Sequence, residues 1–75
     1  MKELVEYIAM SLVDDPSQVK VTEITEGSST TLELIVAPED MGRVIGKNGR
    51  VANAIRTLVR VVAAKQGQRA NLDIL

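Results

Sequence analysis

Leu4, Val5, Ile8 and Leu12 recur at helical spacing, with Glu3 and Glu6 between them, which predicts an amphipathic helix over Lys2 to Val13. Asp14-Asp15-Pro16 ends it, because the residue before a proline is pushed out of the α region. Val19 and Val21 then alternate with Lys20 and Thr22, a period of two that predicts a strand. The alternation breaks between Val21 and Ile24, so a bulge or strand end is expected near Glu23. Glu26-Gly27-Ser28-Ser29 reads as a turn. Thr31 to Ala37 reads as a second strand, with Leu32, Leu34 and Val36 on one face and Thr31, Glu33 and Ile35 on the other. These strands are expected to pair as an antiparallel hairpin.

Pro38 closes the second strand and suits the start of a helix. Glu39 and Asp40 follow where negative charge favours a helix N-terminus. Only about two helical turns fit between there and Gly46. A long helix is expected from near Gly49 to Lys65 or Gln66, with Val51, Ala52, Ile55, Leu58, Val59 and Val62 on its apolar face. Asn53, Arg56, Thr57 and Arg60 lie on its polar side. Gly67 ends it, and Ala70 to Leu75 alternates as a short last strand. The order is α-β-β-α-α-β. A strand, two helices and a strand imply a right-handed crossover, so the second and last strands are expected to be parallel neighbours, with the first strand antiparallel on the other side. The expected fold is α+β, a three-stranded mixed sheet with three helices on one face. The other face is expected to be polar, lined by Lys20, Thr22, Thr31, Glu33, Asn71 and Asp73.

Seventy-five residues are expected to form one small domain, residues 1–75. The chain contains neither cysteine nor histidine. That excludes disulfides, the usual zinc sites and histidine acid–base chemistry. No carboxylates cluster as an acid–base pair. Asp14-Asp15 and Ser28-Ser29 read as turn residues, and Met10 and Met41 as packing. No enzyme, cofactor or metal is therefore expected. Acidic residues near the N-terminus fit no targeting segment, and no apolar run approaches the roughly 18 residues of a membrane span. A cytoplasmic protein with no membrane association is expected.

Net charge is −1, but the charges are segregated. Residues 1–40 hold two basic and nine acidic side chains, whereas residues 41–72 hold seven basic and no acidic ones. Such asymmetry marks one electrostatically specialised surface. The basic stretch contains Val44-Ile45-Gly46-Lys47-Asn48-Gly49-Arg50-Val51. Two glycines let another backbone approach closely, and Lys47 adds charge there. A nucleoside-triphosphate loop needs G-x-x-x-x-G-K-[ST] after a strand. Here Gly42 and Gly46 are too close, Asn48 stands in the Ser/Thr position, and the preceding segment is helical. A dinucleotide fingerprint fails on spacing and on the missing strand. A helix–GxxG–helix backbone clamp agrees with both neighbours in order and length.

With its apolar-Ile-Gly-x-x-Gly-x-apolar pattern, residues 44–51 resemble the KH signature, and the element order is that of the type II KH fold. Ala37-Pro38-Glu39-Asp40-Met41-Gly42-Arg43-Val44-Ile45-Gly46-Lys47 is similar to the small single-KH bacterial RNA-binding proteins called KhpA. The resemblance covers essentially the whole chain. It implies single-stranded RNA binding, with the GxxG loop clamping about four nucleotides by their backbone. Carried over, Gly46 and Gly49 admit the sugar–phosphate chain. Backbone N–H groups at the start of the next helix, with Lys47 and Asn48, meet phosphate oxygens. Val44, Ile45, Val51 and Ile55 shape an apolar floor, and Arg43, Arg50 and Arg69 are rim contacts. The Lys65-to-Arg69 loop is the variable loop. The resemblance further implies a homodimer, or a heterodimer with a larger KH protein of the KhpB or Jag kind. Its implied role is post-transcriptional or RNA-chaperone-like, linked to cell-envelope growth, cell shape and division.

With neither Phe nor Trp, and a single tyrosine, Tyr7, on the first helix, the chain lacks aromatic platforms for base stacking. Binding by clamping and charge implies modest affinity and strong salt dependence. Arg56 and Arg60 either extend a phosphate track or form a solvated helix face, with the solvated face favoured for Arg60. Val59, Val62 and Ala63 are core, dimer contact or both. The rival reading is a dimerising interaction adaptor with incidental RNA binding, to which the acidic first half is better suited.

Overall fold

The structure, a computed structural model, describes residues 1–75. Helix α1 (Lys2–Leu12) leads through a 3₁₀ turn at Pro16–Gln18 into strands β1 (Lys20–Glu26) and β2 (Ser29–Ile35). A second 3₁₀ turn at Pro38–Asp40 opens helix α2 (Met41–Ile45). A third, Lys47–Gly49, joins it to helix α3 (Arg50–Lys65), and strand β3 (Arg69–Ile74) completes the chain. The sheet order is β1-β2-β3, with β1 antiparallel and β3 parallel to β2. This is the expected α+β architecture of three strands and three helices, consistent with a type II KH fold.

The hairpin turns through Gly27 and Ser28, with Gly27 at φ 60. A positive φ at the first of two loop residues belongs to a type II′ turn, whose twist matches that of the flanking strands. The bulge expected near Glu23 is absent. Pairing runs without interruption from Lys20↔Ile35 to Glu26↔Ser29. The apolar alternation breaks for a different reason. Val21 lies under the helices, whereas on the same side Glu23 meets the start of α1 through its carboxylate, which accepts from Lys2 N–H at 3.1 Å, and Thr25 is exposed. Ile24 sits on the open face with Thr22 and is 42% exposed. Ile35, opposite Lys20, is 40% exposed on that same face, so the open face is less uniformly polar than expected.

The core joins Val5 and Ala9 of α1, Val21, Leu32, Leu34, Ala70 and Leu72 of the sheet, and Val44, Ile55, Val59 and Ala63 of the later helices. Leu32 and Leu34 are wholly buried, each contributing about 2 kcal/mol of burial free energy. Leu58, expected on the apolar face of α3, is 51% exposed, while Ala63 is fully buried in its stead. The buried positions Ala52, Ile55, Val59 and Ala63 define a narrower stripe, and Leu58 falls on its flank.

Gly67 ends α3 at φ 70. Gln68 N–H donates to Ala63 O (2.8 Å) and Gly67 N–H to Ala64 O (3.1 Å). These two bonds are the Schellman pair that satisfies the last carbonyls of a helix. Arg69 N–H then donates to Ser28 O at 2.8 Å, which fixes the entry of β3 beside the hairpin. Towards the other end of the chain, Asp15 stands at the head of the Pro16–Gln18 turn and is held by two side chains of that turn. Ser17 Oγ and Gln18 Nε2 donate to its carboxylate and hold its pKa below the ordinary 3.8. No helix is long and apolar enough to cross a membrane.

Candidate nucleic-acid interface

The Gly46–Gly49 turn is built from an unusual run of backbone conformations. Gly46 sits at φ 76, ψ 171, a region open essentially to glycine alone. A Cβ there would lie 2.5 Å from Val51 Cγ2 and 2.9 Å from Val51 N. The close approach of Val51 seals the turn onto the first turn of α3. Asn48 (φ 58, ψ 25) and Gly49 (φ 74, ψ 14) are both left-handed. Asparagine tolerates this geometry better than other residues with a Cβ. Gly49 N–H donates to Gly46 O at 3.1 Å and Arg50 N–H to Lys47 O, so the turn is internally bonded. Helix α3 starts at Gly49 without a side-chain cap. A helix leaves its first N–H groups without intrahelical partners, and they carry the positive end of its dipole.

The motif residues divide by exposure. Val44 and Ile55 are buried core, Val51 is half-buried and Ile45 is 37% exposed. Ile45 is thus the aliphatic surface beside the turn, and Val44 turns into the core. Lys47, Asn48 and Arg50 are exposed. Neither Lys47 nor Arg50 forms an ion pair, which leaves both cations free for an external anion.

Arg43 is placed differently. Its Nη2 lies 3.0 Å from Asp14 Oδ2 and its Nε 3.8 Å from Asp40 Oδ1. Asp40 is 2% exposed, and its two carboxylate oxygens accept from Asp14 N–H and Asp15 N–H, each at 3.1 Å. Beyond its place at a helix start, Asp40 clamps the loop after α1 to the head of α2. Nothing in the local sequence signals this, because both partner amides lie 25 or more residues away.

Arg56 also has a partner. Its Nε donates to Leu72 O at 3.2 Å and its Nη1 to Asn53 Oδ1 at 3.3 Å. This knits α3 to β3, an edge strand of the sheet. Asn53 in turn lies beside Gly49, its Nδ2 3.8 Å from where a Cβ would stand. A polar seam therefore runs from the glycine turn along α3 and β3. At its far end Arg60, Gln68, Arg69, Ala70 and Asn71 line an open cavity of about 310 Å³. Arg69 is thus at the opposite end of the seam from Lys47. No group of three or more Asp, Glu, His or Cys side chains is arranged to hold a metal ion.

A family model described as KhpA/KhpB, KH domain, matches residues 2–74. Proteins called "RNA-binding protein KhpA" are similar over nearly the whole chain. That of Clostridium acetobutylicum is 55% identical, covering 100% of both chains. Those of Borreliella burgdorferi and Aquifex aeolicus are 49% and 44% identical, covering 97% and 100% of this chain and 89% and 95% of theirs. No solved structure matches. With the helix–GxxG–helix geometry in place and a match that runs almost from end to end, the chain belongs to the KhpA/KhpB family of KH domains.

Proposed function

We propose that residues 1–75 act as a single KH domain that binds single-stranded RNA without catalysis. The observation that carries this reading is the Gly46-Lys47-Asn48-Gly49 turn. Its second glycine leaves room for a nucleic-acid backbone, Lys47 and the adjoining Arg50 are unpaired, and it feeds a helix N-terminus without a side-chain cap. Phosphate oxygens bind the Lys47 ammonium at the positive end of the α3 dipole, the Arg50 amide itself being bonded to Lys47 O. Gly49, with only Asn53 near its missing Cβ, lets the sugar–phosphate chain lie against the turn, with Asn48 and Arg50 beside it, while Gly46 makes room for Val51 and so fixes the turn's shape. Ile45 supplies aliphatic contact beside the turn. Arg43 acts chiefly by bracing α2, since Asp14 and Asp40 offset its charge, and Arg69 serves the far rim. The name "RNA-binding protein KhpA" borne by the relatives supports the ligand class, and the family is non-enzymatic.

In this reading the protein is a cytoplasmic post-transcriptional regulator or RNA chaperone. It acts as a homodimer or with a KhpB/Jag-type KH protein in cell-envelope growth and division. The joint KhpA/KhpB family description is what supports that choice of partner. The adaptor reading keeps one observation in its favour: Leu58 and Val61 of α3 are 51% and 47% exposed. Val59 and Ala63, by contrast, are fully buried and belong to the core.

Replacing Lys47 and Asn48 together with Asp tests the site. Both side chains are exposed, so the circular dichroism spectrum and melting temperature stay near those of the parent. RNA affinity is expected to fall at least tenfold, about 1.4 kcal/mol, in fluorescence anisotropy. Unchanged affinity would remove the glycine turn from the RNA site. A parent protein that self-associates tightly but binds no RNA would favour the adaptor.

A further inference from the structure

Strand β1 is an edge of the sheet, and its outer backbone is open. Ser28 O accepts from Arg69 N–H at 2.8 Å and Leu34 O from Leu75 N–H at 3.0 Å, so Ser28, Thr30, Leu32 and Leu34 turn their backbone to β3. The odd-numbered residues of β2 therefore bond β1, through Lys20, Thr22, Ile24 and Glu26. That leaves the N–H and C=O groups of Val21, Glu23 and Thr25 along the free side, and none of them bonds to a loop. The opposite edge is different: Arg56 Nε reaches Leu72 O at 3.2 Å in the middle of β3. β1 has neither a proline nor a bulge, two devices that blunt an exposed edge. It carries charge instead, on Lys20, Glu23 and Glu26.

Those charges select a partner. Lys20 and Glu26 stand at opposite ends of β1 on its open face, and neither has an ion-pair partner within the chain. A second copy of β1 laid antiparallel, with a two-fold axis through Glu23, puts Lys20 opposite Glu26 at both ends. The outward groups of Val21, Glu23 and Thr25 then meet those of Thr25, Glu23 and Val21 of the copy and exchange about six backbone bonds. Thr22 faces Ile24 of the copy, and the two Ile24 side chains, each 42% exposed in the single chain, become diagonal neighbours. An axis at Thr22 would set Lys20 against Ile24. An axis at Ile24 would carry Lys20 past the end of the strand, to Ser28. Only the axis at Glu23 pairs the whole of β1. One contact is adverse, because the two Glu23 carboxylates meet at the axis. Each already accepts from Lys2 N–H of its own chain at 3.1 Å, and two opposite-charge pairs stand against one like-charge pair.

We propose that β1 is a self-association edge, along which two copies of this chain pair antiparallel, Lys20 to Glu26, into one continuous six-stranded sheet. The sheet order puts β1 farthest from β3, so the two α3–β3 seams stay at the outer sides of the pair. This contact belongs to the homodimer of the reading above, on which it rests, and does not depend on RNA binding.

Lys20→Glu and Glu26→Lys test it. Both side chains are exposed and unpaired, so each variant is expected to melt with the parent. Each variant opposes like charges at both ends and is expected to raise the dimer dissociation constant about tenfold in sedimentation equilibrium. An equimolar mixture of the two variants restores both ion pairs and recovers the parent's constant, as does the Lys20→Glu/Glu26→Lys double variant. Glu23→Gln still accepts from Lys2 N–H, removes the axial repulsion and tightens the dimer severalfold. In the parent, amide hydrogen exchange at Val21, Glu23 and Thr25 slows as protein concentration rises.

A parent that stays monomeric at its highest soluble concentration would overturn the proposal. So would single variants that dimerise like the parent, or a mixture that fails to recover. Loss of the dimer on changing Leu58 and Val61, with no response to the Lys20 or Glu26 variants, would give the contact to α3 and overturn it too. Fluorescence anisotropy run alongside separates the two readings. A dimer that follows the charge exchange but binds no RNA would remove the RNA reading and leave this edge standing, and RNA binding by a strict monomer would do the reverse.

Discussion

Gly46 and Gly49 stand three residues apart in one motif, and the backbone constrains them unequally. Gly46 combines a glycine-only conformation with a Cβ position already filled by Val51. Gly49 is left-handed but has only Asn53 Nδ2 near it, at 3.8 Å. Gly49→Ala is therefore expected to cost about 1–2 kcal/mol, the left-handed penalty alone. Gly46→Ala adds steric overlap and is expected to cost about 3 kcal/mol or more. Urea denaturation of both variants checks the order, and equal losses would mean that Val51 yields freely. The sequence already showed that glycines were needed here, since the flanking Val44-Ile45 and Val51 mark a helix junction. It could not show that Gly46 carries the tighter constraint, because that depends on where the first turn of α3 is pressed.

Between elements, Asp40 shows how a residue can be read correctly in part. Proximity to Pro38 placed it at a helix start, and the structure agrees. Its larger role joins two segments: it receives the amides of Asp14 and Asp15 and keeps the loop after α1 against α2. Asp40→Ala orphans both amides and is expected to destabilise the fold by about 2 kcal/mol. Arg43→Ala loses the exposed pair with Asp14 and a longer 3.8 Å contact with buried Asp40, which keeps both of its amide donors, and is expected to cost less, about 1 kcal/mol. Thermal melts of the two variants would reveal an inverted order. Alternation in β2 and β3 identified their inner faces, because both strands lie under helices along most of their length. In β1 the same reasoning misplaced a bulge, because α1 buries Val21 but meets Glu23 only through its carboxylate, at the helix start, and Thr25 stays exposed. Periodicity reports burial, and an edge strand that outruns its cover loses the pattern without losing its pairing.

At the scale of the molecule, the narrow core stripe of α3 leaves Leu58 and Val61 as an apolar flank. If the protein self-associates through that flank, replacing both residues with Glu is expected to convert a dimer to a monomer in light scattering while leaving the melting temperature within a few degrees. A monomeric parent, or a dimer that survives the change, would rule this flank out as the contact. The acid-free run 41–72 places Lys47 and Arg50 at one end of the α3–β3 seam and Arg60 and Arg69 at the other.

The amino-acid sequence by itself determined the element order, the mixed sheet, the GxxG turn and its positive surroundings. These follow from local spacing, backbone preference and the count of charges along the chain. Only the tertiary structure decided which cations are free. Arg43 is answered by Asp14 and Asp40, and Arg56 is bound to the backbone of β3, whereas Lys47, Arg50, Arg60 and Arg69 have no ion-pair partner. The partners that distinguish them lie far away in sequence and meet them only when the helices close over the sheet.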